Sequence, residues 1–340
     1  MEGGMKGGVT VSVAIATYSR AGMVRQAIEA ALAQTRPPDE IVVADDASAD
    51  STWAALEELA GRESSLRIFR RERNSGGAEN WSFAIGQTRG DYIAWCSDDD
   101  RFTPSHLEAS VEYLEANPEV GLVHSGFVDA IETQGAPKTI PRPLRFARTR
   151  IITTGDLLGY LTRYYDWPFH PSTLVLRRAV WERVGGFDPA YALADTDWFV
   201  RAVERFPAAM LPRHGVYNRR HAGNWSNRLG SARMQREIFE IVERSIERRF
   251  PKMTPRRLIW KAVWRAVWRT NVRLRLLLTL RARLRSGHAD AACAAWSVLA
   301  RGTGRTLPEF ITHAGSRVIR WWCGRRVPEF EDGRQSVSPL

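Results

Sequence analysis

Tyr92-Ile93-Ala94-Trp95-Cys96-Ser97-Asp98-Asp99-Asp100 is a short apolar run that ends in three consecutive aspartates. The apolar part predicts a strand that runs out into a loop at Ser97. Adjacent carboxylates repel one another and are poorly solvated beside apolar residues. A strand that ends this way therefore asks for a cation or a developing positive charge. Hard oxygen ligands suit Mg²⁺ or Mn²⁺, which are commonly held by one or two carboxylates together with substrate phosphates. The competing reading is a solvated turn whose aspartates cap a helix near Pro104.

Working outward, the residues before this run alternate apolar strands with amphipathic helices. Strands are expected over 9–16, 41–44, 66–69 and 92–96, and helices over 21–33, 52–59 and through 80–85. Strands separated by helices of this length predict an α/β fold with a mostly parallel sheet covered on both faces. In such sheets ligands collect at the carboxyl ends of the strands. Asp45-Asp46 follow the second strand and the triplet follows the fourth, so both acidic clusters are expected to face one crevice. Beyond the triplet a helix is expected over 104–117 and a strand over 120–127. An irregular segment rich in Pro and Arg is expected over 132–150. Further on, a strand is read over 172–176 and a helix over 198–204, after Gly185-Gly186-Phe187-Asp188 and Asp195-Thr196-Asp197.

The net charge of +11 over 340 residues is unevenly placed. Residues 1–251 carry 31 Lys and Arg against 33 Asp and Glu, whereas residues 252–326 carry 17 against 2. A near-neutral body is thus followed by a basic region with partners of its own. Cys96, Cys293 and Cys323 are scattered and lack metal-ligand spacing. They point to a reducing compartment rather than a disulfide framework. Residues 1–8 do not read as a signal peptide, and no apolar run reaches the roughly 18–20 residues a membrane span requires. The expected location is the cytoplasm, peripheral on the cytoplasmic face of the membrane.

The order of motifs resembles the family 2 glycosyltransferases of the GT-A fold. The resemblance runs through Val11–Arg20, Ala33-Gln34-Thr35, Val42–Thr52, Asn74-Ser75-Gly76-Gly77 and Gly90-Asp91-Tyr92-Ile93 into Ser97–Asp100. It continues with Gly185–Asp188 and Asp195–Arg201. It covers roughly residues 9–225; any one element is weak, and the series in order is specific. It implies a GT-A (Rossmann-like) domain over 1–230, with a nucleotide-sugar-binding half over 9–130 and an acceptor half over 151–230. A basic, Trp- and Arg-rich helical extension over 231–326 and a tail over 327–340 would complete the chain.

By this resemblance the donor is a UDP- or dTDP-sugar contacted by Thr17, Tyr18, Asp45, Asp46, Asn74, Gly76, Gly77 and Asp98. Asp46 would accept a hydrogen bond from the imide of the base, although a cap on the following helix is the alternative. Asn74–Gly77 would bring free backbone N–H groups to the nucleotide, or form a plain turn. A Mg²⁺ or Mn²⁺ on the diphosphate would be held by Asp99, with Asp98 and Asp100 sharing or orienting, and with His221 close by; Arg219 and Arg220 would add phosphate contacts. Ser97 departs from the family's commoner Asp-x-Asp-Asp pattern, which leaves the ligand set open. Asp195 matches the general base of an inverting transfer, with Asp197 its rival. His170 reads as ordinary packing. Trp167 and Trp225 read as sugar-stacking rings or loop anchors.

In the extension, Lys261, Arg265, Arg269 and Arg273 step by four beside Trp260, Trp264 and Trp268, so each set keeps to one band of a helix. A basic band beside a Trp-rich apolar band describes an interfacial membrane helix over 255–326. Packing against the body or in a homo-oligomer competes with it, and no motif supports nucleic acid. The expected activity is transfer to a hydroxyl of a saccharide acceptor, lipid-linked glycans included. Transfer to polyprenyl phosphate, or a non-catalytic membrane or assembly scaffold with a transferase-like body, are the alternatives.

Overall fold

The structure is a computed structural model that describes residues 8–133, 137–144, 147–153, 170–224, 231–259 and 261–264. The strands β1 (Val11–Thr17), β2 (Glu40–Asp45), β3 (Leu66–Arg70) and β4 (Tyr92–Trp95) alternate with α1 (Ala21–Leu32), α2 (Thr52–Ala60) and α3 (Gly77–Gly86). Then follow β5 (Arg101–Phe102), α4 (His106–Ala116), β6 (Leu122–Ile131), β7 (Lys138–Pro141) and β8 (Arg150–Ile152). A 3-10 turn at Pro171–Thr173 leads into β9 (Val175–Arg177), α5 (Arg178–Val184), α6 (Ala194–Val203), β10 (Ala208–Arg220) and α7 (Ser231–Arg249).

One sheet runs in the order β3-β2-β1-β4-β9-β6-β10-β5, with β7 on β6 and β8 on β10. Its long ladders, β1 with β2 and β4, β2 with β3, and β6 with β10, are parallel. The antiparallel ladders are short and involve β5, β7, β8 and β9. The fold is therefore the mostly parallel α/β sheet flanked by helices that the sequence predicts.

Every residue of β1, β2 and β4 is buried, which is why these strands read as unbroken apolar runs. Val13, Ile15, Ile41 and Val43 join Val24 and Ile28 of α1 and Leu56 of α2 in one apolar core. Each such side chain contributes about 1.5–3 kcal/mol on burial.

Three expectations change. The segment expected to be irregular over 132–150 contributes β7 and β8, because the edges of β6 and β10 offer backbone groups for them to pair with. The strand expected over 172–176 begins only at Val175, since Pro171 opens a 3-10 turn first. The helix expected from Trp198 starts at Ala194, which brings Asp195 and Asp197 into its first turn.

The chain divides after Lys252 into two units. α7, assigned to the extension on sequence, belongs to the first: Glu237 accepts a hydrogen bond from Leu193 N at 2.8 Å, and Arg248 pairs with Glu204 at 2.8 Å. Residues 255–259 and 261–264 are helical; Trp260, Trp268, the rest of the basic region and residues 327–340 lie outside the described residues. Among the described residues no helix is long and apolar enough to cross a membrane.

Candidate functional site

The parallel strands β2, β1 and β4 end side by side, and Thr17 at the end of β1 is the hinge of the site. Its hydroxyl donates to Asp98 Oδ2 at 2.8 Å, and its carbonyl accepts from Asp46 N at 3.0 Å. Both acidic clusters therefore open onto one crevice. Tyr18, the next residue, is 48% exposed at its edge.

Asp45 and Asp46 point to different tasks. Asp45 is fully buried and accepts from Ser48 N at 3.2 Å and from the Ser48 hydroxyl, with Arg70 3.6 Å away. Asp46 accepts from Ser75 N (2.9 Å), Ser75 Oγ (2.8 Å) and Gly76 N (2.9 Å), so it ties the start of α3 to the end of β2. Its Oδ2 takes one of these bonds and keeps a lone pair. Asn74 Oδ1 shares Gly76 N at 3.1 Å. Gly76 sits at φ +87°, ψ 161°, a region essentially reserved for glycine, and Gly77 then opens α3. Asn80, one turn into α3, donates to Ala44 O at 2.9 Å, while its buried Oδ1 has no partner among the described residues.

The triplet forms a tight turn, closed by Asp100 N donating to Ser97 O at 3.0 Å, and all three aspartates are buried. Asp98 spends both oxygens, one on Thr17 and one on Arg20 at 2.7 Å. Burial pushes its carboxyl up to about 6, with Arg20 working against that rise. Asp100 also spends both, accepting from Ser172 Oγ at 2.5 Å and from Arg219 N at 3.1 Å. Burial, reinforced by the charge of Asp99, pushes it up to about 8. Asp99 concentrates its contacts on Oδ2, which meets Arg20 at 2.8 Å, His221 Nε2 at 3.1 Å and Asn224 Nδ2 at 3.4 Å. Its Oδ1 accepts no hydrogen bond among the described residues. Ser97, the departure from the family pattern, is joined to the 3-10 turn: its N–H donates to Ser172 Oγ at 3.0 Å.

His221 is aimed at Asp99 by its own loop. Gly223 N donates to His221 Nδ1 at 3.2 Å, which leaves the proton on Nε2, facing the carboxylate. Glu132, Arg220, His221, Ala222 and Asn224 line an open cleft of about 470 Å³ beside it. Arg219 turns to Glu132 at 3.3 Å and to Gln26.

On the opposite wall, Asp195 and Asp197 share the first turn of α6 but differ in surroundings. Asp197 is 3% exposed and pairs with Arg201 at 2.7 Å; Arg201 also donates to Val184 O (2.9 Å) and Gly186 O (2.8 Å). Asp195 is half-buried, pairs with no arginine or lysine among the described residues, and accepts from Thr196 N at 2.7 Å. Burial raises its carboxyl, opposed by the Thr196 N–H and by His170. His170 packs on the Phe127 ring at 5.1 Å, as expected, but also lies 3.6 Å from Asp100 and within electrostatic reach of Asp195. A set of rings joins the two walls: Trp95 contacts Trp198 at 4.6 Å, Phe187 at 5.1 Å, and Trp81 and Trp181 at 6.4 Å. Trp198 Nε1 donates to Gly185 O at 2.7 Å. Trp167 and Trp225 lie outside the described residues.

Sequence reasoning missed Arg20, Ser172 and Asn224. The one signal for Arg20 was a cation three residues beyond Thr17, at the mouth of the crevice.

Among the described residues no three His, Cys, Asp or Glu groups converge to cage an ion. A Mg²⁺- or Mn²⁺-type site does not need such a cage, since these ions draw on one or two carboxylates plus substrate phosphates. Asp99, with an oxygen to give, fits that demand, and the adjoining His221 can join it through Nε2 once its proton moves to Nδ1 and the Gly223 bond is given up.

The profile described as Glycosyl transferase family 2 matches residues 12–182, half of the chain. The chain belongs to glycosyl transferase family 2. It is 29% identical over 236 residues to the uncharacterized glycosyltransferase YwdF of Bacillus subtilis, covering 66% of this chain and 80% of that one. An uncharacterized Mycobacterium bovis protein is 31% identical over 222 residues, covering 63% of this chain and 60% of its own length. The chain thus spans less than two thirds of that relative. The fold of this family 2 member also matches solved structures. S. aureus TarS in complex with UDP-GlcNAc aligns with a TM-score of 0.58 at 14% identity, over 93% of this chain and 89% of that one. The mannosyltransferase PcManGT from Pyrobaculum calidifontis, in complex with GDP-Man and Mn²⁺, aligns with a TM-score of 0.54 at 18% identity, over 93% and 86%. The shared architecture is the GT-A glycosyltransferase fold.

Proposed function

We propose that this chain transfers a sugar, with inversion, from a UDP- or dTDP-sugar to a hydroxyl of a saccharide acceptor, lipid-linked glycans included. The observation that carries this is Thr17, which joins the Asp46 cluster and the aspartate triplet at the mouth of one crevice. Residues 9–130 form the donor half and 151–230 the acceptor half. Asp46 Oδ2 offers its remaining lone pair to the imide N–H of the base, and its bonds to Ser75 and Gly76 hold it still for that contact.

Asp99 and His221 would hold a Mg²⁺ or Mn²⁺ together with the donor diphosphate, and that ion supplies the Lewis acid for the leaving charge. Asp195 accepts the proton of the attacking hydroxyl as the new C–O bond forms at the anomeric carbon. The old C–O bond breaks with its electron pair going to the diphosphate. Asp195 suits this task because burial raises its proton affinity and no Arg or Lys among the described residues is locked onto it, whereas Asp197 is held by Arg201. Beyond the body, Leu258, Ile259 and Val263 are exposed beside Arg256 and Lys261, which supports contact of residues 255–326 with an anionic membrane surface.

A panel of nucleotide-sugars, read by thermal shift with and without Mn²⁺, tests the reading. At a hundred times its dissociation constant a donor adds about 2.7 kcal/mol of stability, or roughly 5–11 °C in a domain of this size. No shift with any nucleoside-diphosphate sugar would refute the proposal.

A further inference from the structure

Arg20 holds a position that its motif does not announce. It follows β1 and leads into α1, yet its Nη1 lies 2.7 Å from Asp98 and 2.8 Å from Asp99, and its Nη2 donates to Gly223 O at 3.3 Å. One guanidinium therefore spans the two carboxylates at the head of the triplet and the loop that aims His221. Asp99 Oδ2, the Asp99 oxygen that meets Arg20, also meets His221 Nε2. The Arg20 side chain keeps 26% of its surface exposed, while those of Asp98 and Asp99 keep 7% and 12%. The carboxylates are fixed in the floor of the crevice and the cation stands at its rim, on a long side chain able to swing.

We infer that Arg20 is the resident counter-cation of the triplet, displaced when a divalent ion enters and then passed to the donor diphosphate. The inference rests on the metal and diphosphate reading of this site. Two adjoining ionised carboxylates repel unless a cation lies between them, and Arg20 meets that need while no donor is bound. A divalent ion that approaches Asp99 meets the positive charge of Arg20 on the same carboxylate, 2.8 Å from its Oδ2. Metal alone is therefore bound weakly. When the ion arrives on a diphosphate, Arg20 has new anionic oxygens to pair with, and its planar fork suits them. The binding of ion and donor is coupled through this side chain.

The test is a Mn²⁺ titration of the full chain by electron paramagnetic resonance, with and without UDP, alongside circular dichroism to establish folding. The expected result for Arg20→Met is Mn²⁺ binding at least tenfold tighter than the parent without UDP. With Mn²⁺ saturating, UDP should bind at least tenfold more weakly to the same variant. Arg20→Lys keeps the charge on a shorter side chain and loses the second nitrogen that reaches Gly223 O, so it should bind Mn²⁺ with an affinity between the two. That variant decides the question if Arg20→Met does not fold. Equal or weaker Mn²⁺ binding by the folded variants overturns the role of Arg20. Failure of parent and variants alike to bind Mn²⁺, even with UDP, overturns the metal reading beneath it.

Discussion

Asp195 and Asp197 lie two residues apart, and their surroundings predict opposite phenotypes for the same chemical change. Asp197→Asn removes the charge that pairs with Arg201 on a side chain 4% exposed. Breaking one partner of a buried ion pair costs about 3–5 kcal/mol. Arg201 keeps Val184 O and Gly186 O as acceptors, so the lower end, about 3 kcal/mol, applies here. For a body of some 250 residues that corresponds to a fall in Tm of roughly 6–12 °C. Turnover per folded molecule should survive.

Asp195→Asn removes a carboxylate whose ionised form the fold disfavours, since burial raises its pKa. The sign follows from linkage. The raised group favours the folded state at low pH and loses that contribution as pH climbs from the unfolded value through the folded one. A neutral amide carries no such loss at pH 7, so Tm should hold or rise. kcat should fall about 10²–10⁴-fold, the usual worth of a general base. Differential scanning calorimetry and initial rates on the two variants decide the matter. A stable but inactive Asp197→Asn beside an active Asp195→Asn would reverse the assignment.

Three further outcomes are expected. The kcat/KM profile should carry an acidic limb from protonation of Asp195, centred above the ordinary carboxylate value of 3.8; a limb at or below that value contradicts the burial argument. Gly76→Ala meets no atom within 4 Å, so its whole penalty is backbone conformation, about 1–3 kcal/mol. It should lower Tm by roughly 2–12 °C and weaken UDP binding through the Asp46 clamp, which calorimetry would detect. The full chain should co-sediment with vesicles containing phosphatidylserine and not with neutral ones; equal sedimentation with both would remove the electrostatic part of the membrane proposal.

The first half of the sheet was legible because β1, β2 and β4 are buried on both faces, and a strand with no solvent face leaves an uninterrupted apolar signature. The other half was less so. β10 contains Pro212 and Gly215, residues that argue against a strand. It accommodates them where its register against β6 shifts, between Leu211 and His214 and again before Val216. The extra strands β7 and β8 are short edge pieces, exposed but for Ile152, with no core pattern to announce them. The candidate carboxylates were visible as clusters, but their partners were not. Arg20 reaches Asp98 across 78 residues, and Ser172 reaches Asp100 across 72. No local spacing rule encodes such pairings. The choice between Asp195 and Asp197 is different: Arg201 stands four residues after Asp197, a helical spacing that pairs the two once the helix is seen to start at Ala194 rather than Trp198.

The ring contact between Trp95 and Trp198 acts as a ruler. Asp98 lies three residues after the first ring and Asp195 three before the second, and the rings touch at 4.6 Å with almost no exposed surface. In the proposed reaction, the span between the Asp98 turn and Asp195 is thus tied to a contact between two buried indoles. Trimming either indole is expected to change how far apart Asp98 and Asp195 stand.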